Sequence, residues 1–240
     1  MLKESTALPN AQTKKKGPKG PKDETFRKYK WYAVQLAIHD AINCFEVFYK
    51  NTFIQLAEQI QEFIALEKIS GNIEAKFIWE AIGISTAPKI YFESQIFHDL
   101  TKVDAATDML VGKRRYNPNS QSNPLKDLVR ALQAMYQIRH TLSHNSGIVT
   151  NSDYVKLKAH GYKSRVDEVI DLSSDSLGEA ILRLIEVESK EFTDWIRTQT
   201  VNYLINWSKA QGIVFEKKKI DNLKEIFGGT DQEWQPIPIN

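Results

Sequence analysis

Residues 23–70 contain neither proline nor glycine, and their apolar side chains return every three or four positions. Proline and glycine are the strongest interruptions of a helix, so an unbroken amphipathic stretch of this length predicts α-helix. Two alternatives are open near Asn51, because no breaker separates the repeats on its two sides: a single very long helix, or a helix over 23–48 followed by a second one. The sequence Ser70-Gly71-Asn72 is typical of a helix end.

The rest of the chain shows the same helical periodicity. Helices are predicted over 73–82, once or twice within 89–110, after Pro124, over 176–210 and over Lys217–Phe227. A polar loop is predicted over 112–123, and the mixed character of 148–172 fits a short extended pair or turns. The sequence therefore predicts an all-α fold, with one helical domain over 23–227 and a C-terminal tail over 228–240.

The N-terminal segment has a different composition. Residues 1–22 hold six lysines and one glutamate, whereas the whole chain carries a formal charge of only +2. Lysine, glycine and proline dominate 14–22 and cannot bury a core, so 1–22 is predicted to be a disordered basic tail. Two interpretations are open, a basic arm that adds affinity for RNA and a solubilising tail without a specific partner.

The single cysteine, Cys44, excludes a disulfide framework within one chain. Its place in an apolar helical run predicts a buried, reduced thiol. No stretch is long and apolar enough to cross a membrane, and the first residues lack the apolar core of a signal peptide. We therefore expect a cytoplasmic protein without a membrane partner.

The sequence Arg139-His140-Thr141-Leu142-Ser143-His144 closes the amphipathic helix that follows Pro124. Arg139 comes seven residues after Leu132, at the rim of the predicted buried stripe, where a charge is costly unless it has a partner or a task. A guanidinium holds a phosphate through two hydrogen bonds, and an imidazole exchanges a proton near neutral pH. Arg139 and His144 are therefore candidate catalytic residues for RNA cleavage without a metal.

The spacing of the two residues limits how they can act together. Five steps along a regular helix turn a side chain through about 140°, so Arg139 and His144 would not share a helix face. Convergence requires either that the helix frays near Ser143 or that a second copy of the chain supplies the partner group. Both possibilities suit a site at a helix end, and Asn145-Ser146-Gly147 is a plausible stop.

The motif and its setting, over residues 123–154, resemble the HEPN superfamily of all-α ribonucleases and nucleotide-binding proteins of prokaryotic defence and toxin systems. That family carries R-[N/H/D]-x3–4-H at the end of a core helix. The resemblance implies catalytic roles for Arg139 and His144, with His140 as the polar second position and Ser143 and Asn145 in support. It also implies a helical bundle with long antiparallel helices and a homodimer whose two motifs face one cleft.

The activity that the resemblance implies is a metal-independent endoribonuclease in a phage-defence or toxin–antitoxin system. RNA is the expected substrate, and an antitoxin or regulatory protein is a possible partner. In this chemistry the ribose 2′-OH attacks the adjacent phosphate, so DNA is not cut. The main alternative is a non-catalytic HEPN module that binds a nucleotide or a protein partner. A structural pairing of Arg139 with a carboxylate at the core edge is the third interpretation.

Other candidate sites carry weaker signals. Lys113, Arg114 and Arg115 form a basic cluster in the predicted loop, which fits either contacts with RNA phosphates or a solvated surface. His140 and His144 are four residues apart and could share a helix face as metal ligands, but a zinc site needs a third ligand and the sequence shows none, so no metal is predicted. No glycine-rich nucleotide loop is present, and no cofactor is predicted. The isolated histidines are interpreted as structural residues: His39, His98 and His160.

Overall fold

The computed structural model of the protein describes residues 23–64, 66–69, 83–172 and 176–239. This part of the chain is mostly helical, and its only extended pairings are two isolated bridges, Ile148 with Val169 and Phe215 with Ile239. The all-α prediction is confirmed. The α-helices are α1 (Asp23–Ile60), α2 (Ala87–Glu93), α3 (Leu100–Val111), α4 (Lys126–His144), α5 (Asn151–Ala159), α6 (Leu177–Gln211), α7 (Lys217–Phe227) and α8 (Asp231–Trp234).

Helix α1 runs without a break through Asn51, so the single long helix is the correct alternative. The side chains on both sides of Asn51 explain the continuity, because Tyr49 and Phe53 are completely buried and keep one apolar face in register. The helix ends in a short 3-10 turn, Gln61–Phe63. The helix predicted over 73–82 and the basic tail predicted over 1–22 lie outside the described residues.

The two longest helices, α1 and α6, lie side by side and run in the same direction. The contacts that establish this are Gly178 with Ile38, Phe192 with Tyr49, and Tyr203 with Phe63 just beyond the end of α1. From one pair to the next, the residue number increases in both partners, which happens only when two helices run in the same direction. The prediction of long antiparallel helices is therefore wrong for this pair, because the connection between them contains α2 to α5 and returns the chain to the starting end of α1.

Helix α4 is the antiparallel neighbour of α1. Arg139 of α4 contacts Asn43, and Ser143, one turn later, contacts His39, one turn earlier on α1. This reversed order places the C-terminal end of α4 beside the first half of α1. The pairing of α1 and α4 therefore positions the motif.

The core is built around aromatic rings from distant parts of the chain. Phe192 of α6 packs edge-on against Tyr49 of α1, with ring centroids 4.8 Å apart, and lies 6.3 Å from Tyr116 in a stacked orientation. Beside these rings lies a buried ion pair in which Arg115 Nε donates to Glu188 at 2.9 Å. The Tyr116 hydroxyl donates to the same carboxylate at 2.6 Å, and burial raises the pKa of Tyr116 well above its ordinary range. A charged group thus sits inside the aromatic core.

Two predictions about burial are wrong. The predicted tail after α7 packs back onto the molecule, since Trp234 and Ile237 are buried and the Trp234 indole donates to the Gly228 carbonyl at 3.0 Å. Cys44 is exposed, because it lies on the side of α1 that faces away from the core. The paired glycines Gly228 and Gly229 only turn the chain before α8 and do not end its packing.

Within the described ranges, no helix combines the length and the apolar character needed to cross a membrane. The longest of them, α1, carries charged side chains along its outer face, among them Lys28, Lys30 and Asp40. This agrees with the expectation drawn from the sequence that no segment spans a membrane.

Candidate active site

The motif occupies the last two turns of α4, and the helix remains regular through His144. Asn145 ends the helix, and the chain then reverses through Ser146 and Gly147, which both have positive φ. The Gly147 amide donates to the Thr141 carbonyl at 3.1 Å and closes this end. Fraying near Ser143 therefore does not occur. Within one chain, Arg139 and His144 stay about 140° apart around the helix.

Arg139 is oriented by a neutral partner. Its Nε donates to Asn43 Oδ1 at 2.8 Å, which fixes the plane of the guanidinium against α1. Among the described residues, Arg139 makes no ion pair, and its two terminal nitrogens have no hydrogen-bond partner. The guanidinium thus has one edge without a hydrogen-bond partner, and such an edge can hold an anion with two hydrogen bonds. The interpretation of Arg139 as one half of a structural ion pair has no support in these residues.

A closed chain of hydrogen bonds stands behind Arg139. Because Asn43 Oδ1 accepts from Arg139, its amide nitrogen donates to His39 Nδ1, at 3.1 Å. His39 therefore carries its proton on Nε2 and donates to Ser143 Oγ at 2.7 Å. Ser143 Oγ in turn donates to the Arg139 carbonyl at 2.9 Å. The hydrogen bonds among these four residues fix the orientation of the His39 ring and tie the motif to α1.

His39 and Asn43 belong to the candidate site, and the sequence interpretation missed them. His39 stands alone in the sequence, 104 positions from Ser143, which it contacts in the fold. The only local signal is that His39 and Asn43 are four residues apart on one helix face. Their proximity to Arg139 depends on the packing of α1 against α4, which one sequence does not reveal.

His144 and His140 lie on the side of α4 away from that chain of hydrogen bonds. Both side chains are exposed, and their ring centroids are 4.6 Å apart. Partial desolvation of the ring lowers the pKa of His140, and the neighbouring His144 and Lys156 lower it further, while Asp153 acts in the opposite direction. Near neutral pH, His140 is therefore an uncharged imidazole next to His144.

Asn145 supports the motif through Asp153 of α5. Its amide nitrogen donates to Asp153 Oδ2 at 2.8 Å, and Gln137 of α4 donates to the other oxygen at 2.8 Å. Burial opposes the charge on Asp153, but hydrogen bonds from Thr150 and Asn145 outweigh it and lower the pKa of the carboxyl. The ionised Asp153 thus holds the turn after the motif, and Asn145 acts through the position of that turn.

The basic cluster of the loop before α4 separates into three environments. The Arg115 side chain is 8% exposed and its nitrogens bond Glu188, so its interpretation as an RNA-binding residue is wrong. The backbone explains this position, since Asp104 accepts from the amides of Arg115 and Tyr116 and turns the loop inward. Arg114 pairs with Asp108 at the surface. Lys113 is exposed and stays a candidate for phosphate contact.

Possible metal ligands are sparse in the described ranges. There, no group of three or more histidine, cysteine, aspartate or glutamate side chains comes together in a way that could hold a metal ion. His140 and His144 form only a pair. The groups that the motif offers for chemistry are one oriented guanidinium and two exposed imidazoles.

The lowered pKa of His140 predicts a pH effect on stability. The unfolded chain binds this proton more tightly, so the contribution of His140 is complete above the ordinary histidine pKa of about 6.5 and is lost as the pH falls from there toward the folded-state pKa. Thermal unfolding at about pH 7.5 and about pH 5.5 should show a smaller decrease for His140→Gln than for the parent protein. At the higher pH the imidazole is neutral in both states, which provides the internal control.

Two other groups affect the interpretation of that measurement. Asp153 titrates below the window, because its pKa is lowered from an ordinary carboxyl value. Burial also lowers the pKa of His160, so part of the acid sensitivity should persist in the variant. An equal or larger decrease for His140→Gln would contradict the assignment.

Comparisons of the chain with protein-family models, with curated proteins and with solved structures find no match. What points to a function is therefore the motif and its surroundings in this molecule. The three observations that bear on it are the open edge of Arg139, the exposed pair of His140 and His144, and the anchoring of Arg139 by α1.

Proposed function

We propose that this protein is a metal-independent endoribonuclease of the HEPN type, with Arg139 and His144 as its catalytic residues. The observation that carries the proposal is the state of Arg139, an oriented guanidinium without a carboxylate partner among the described residues, on the same helix end as an exposed histidine. A partly buried arginine that is held by a neutral amide can still bind an anion. A phosphodiester is such an anion, and a histidine beside it can transfer a proton.

The proposed reaction is an internal transesterification. An imidazole removes the proton of the ribose 2′-OH, the 2′-oxygen forms a bond to the adjacent phosphorus, and the bond from phosphorus to the 5′-oxygen breaks. A protonated imidazole gives a proton to the departing 5′-oxygen. Arg139 binds the non-bridging oxygens as negative charge builds on them. The products are a 2′,3′-cyclic phosphate and a 5′-OH.

The angle between the two residues supports a site shared by two copies of the chain. Since α4 stays regular through His144, one chain turns Arg139 and His144 in different directions. In a two-fold dimer, Arg139 of one copy can face His144 of the other, and the cleft between the two motifs then contains two arginines and two histidines. The exposure of His140 and His144 leaves them accessible to such a partner.

The wider setting proposed for the enzyme is a phage-defence or toxin–antitoxin system in the cytoplasm. An unrestrained ribonuclease would damage the RNA of its own cell, so such an enzyme needs a trigger or an inhibitory partner. An antitoxin or another regulatory protein that covers the end of α4 would meet this need. It would hide the exposed rings of His140 and His144.

A second function is favoured by the same angle between Arg139 and His144. If the protein acts as a single chain, its arginine and its histidine do not converge, and Arg139 could bind a nucleotide phosphate without cleavage. The protein would then be a non-catalytic HEPN module that binds a nucleotide or a protein partner. Cleavage in the absence of free metal separates the two functions.

The test is digestion of a mixed single-stranded RNA by the purified protein in excess EDTA. We expect cleavage with 2′,3′-cyclic phosphate and 5′-OH ends, and loss of this activity in His144→Ala. His160→Ala is the control, because His160 ends α5 and is not part of the motif. Full activity in a well-folded His144→Ala protein would refute the catalytic assignment. Binding of RNA without cleavage by the parent protein would favour the second function.

A further inference from the structure

The first half of α1 exposes aromatic side chains that the core does not use. The exposed fractions are 69% for Tyr29, 48% for Tyr32 and 70% for Leu36. Lys28 and Lys30 alternate with the aromatic residues and are also exposed. This composition differs from the outer face of an ordinary helix, because rings of this size are costly to leave in water without a partner.

The side chains of Tyr29, Tyr32 and Leu36 lie on the same side of α1 as the motif. At about 100° per residue, Tyr29, Tyr32, Leu36, His39 and Asn43 fall within an arc of about 80°. Tyr32 precedes His39 by seven residues, which corresponds to about 10 Å along the helix axis. The exposed aromatic stripe therefore leads directly to the residues that orient Arg139.

The orientation of Tyr32 is supported from one side. The ring of the half-buried Trp31 packs against it edge-on, with centroids 4.9 Å apart and an angle of 74° between the planes. A ring held in this way loses less freedom when a second ring stacks on its open face. The exposed Tyr32 is thus suited to a flat, aromatic ligand.

We infer that this stripe binds single-stranded RNA, with bases stacking on Tyr29 and Tyr32 and with Lys28, which borders the stripe, near the phosphates. Stacked aromatic side chains interleaved with basic residues are how proteins hold unpaired strands without reading their sequence. The inference rests on the proposed ribonuclease function, since it names the substrate class and the route by which a strand reaches Arg139. A duplex does not fit, because its bases are already stacked on one another.

The test measures binding of a fluorescent oligodeoxythymidylate of about 12 nucleotides to the full chain. This probe stacks as RNA does but lacks the 2′-OH, so the proposed chemistry leaves it intact. We expect the double variant Tyr29→Ala/Tyr32→Ala to bind at least about tenfold more weakly than the parent. The matched control is Tyr29→Phe/Tyr32→Phe, which keeps both rings and should bind within about twofold of the parent.

Three results would overturn the inference: a parent that does not bind the probe, equal binding by the alanine and parent proteins, or a change from dimer to monomer in the alanine variant on a sizing column. The last result would mean that a second copy covers the stripe. If the alanine variant loses its helical circular dichroism, Lys28→Gln replaces it and should flatten the slope of log affinity against log salt by about 0.7. An unchanged slope would overturn the inference in that case.

The outcome also separates this inference from the proposed function. Tyrosine-dependent binding of the probe by a parent protein that cleaves no RNA would leave the stripe in place and remove the ribonuclease. If the parent cleaves RNA but its binding of the probe does not depend on Tyr29 and Tyr32, the proposed ribonuclease function stands and the inferred RNA-binding stripe is refuted.

Discussion

Arg139→Ala should lower the rate of RNA cleavage by about 100-fold or more. The guanidinium is expected to act on charge that develops on the phosphate during the reaction, so its removal should lower kcat and not only the affinity for RNA. The measurement is single-turnover cleavage at saturating RNA. The matched control is Arg130→Ala, because Arg130 lies on the exposed side of the same helix. Equal losses in both variants would contradict the special role of Arg139.

Mixing two inactive variants tests whether the site is shared. In a dimer formed from an Arg139→Ala chain and a His144→Ala chain, one Arg139 still faces one His144 across the two-fold axis. Partial recovery of cleavage after mixing is expected if the two residues act across the dimer. No recovery, in a mixture shown to exchange subunits, would place both residues in one chain and would require α4 to unwind.

Glu188→Ala should cost about 3–5 kcal/mol of unfolding free energy, the largest effect on stability that we expect from the described residues. The Glu188 side chain is completely buried, and its partner Arg115 is 8% exposed. Removal of the carboxylate leaves a buried guanidinium without its main counter-charge and deprives the Tyr116 hydroxyl of its acceptor. Urea unfolding monitored by circular dichroism measures the loss.

The control for this variant is Glu191→Ala. Glu191 also pairs with Arg115, at 3.4 Å, but its side chain is 58% exposed. Because solvent screens such a pair, its removal should cost at most about 1 kcal/mol. Similar losses in the two variants would show that the burial of Glu188 does not decide the energy of this network.

The helical elements could be predicted from the sequence because their signals are local. The predicted 217–227 helix agrees with α7, and the predicted 176–210 helix differs from α6 by one residue at each end. Apolar periodicity and a terminal glycine define both, and these are properties of adjacent residues. The direction of α6 relative to α1 could not be predicted, because it depends on how the intervening helices return the chain.

The candidate site was predictable only in part, for a similar reason. Arg139 and His144 lie in one short motif at the end of one helix, so both can be identified from the sequence. Asn43 and His39 reach the motif only through packing between helices, and their four-residue spacing on α1 does not by itself mark a site. The catalytic roles of Arg139 and His144 stay predictions.

Arg115 and Trp234 show how local composition can mislead. Arg115 stands in a run of three basic residues, which is typical of a solvated loop, yet its acceptor Glu188 comes from α6, 73 positions away. Trp234 follows two glycines and precedes two prolines, which is typical of a tail, yet its indole is completely buried. In both cases one large side chain, Arg115 or Trp234, is buried although the residues around it are typical of an exposed segment.

One unbroken helix, α1, supplies both Asn43, which holds Arg139, and Tyr49, at the centre of the aromatic core. The motif therefore does not belong to a loop that can open while the rest of the molecule stays closed. Separation of α1 from α4 exposes core side chains at the same time, so the free energy of opening the motif approaches that of unfolding the domain. How firmly the Arg139 guanidinium is held thus depends on the stability of the whole protein. A substitution deep in the core can therefore loosen the motif without contacting it.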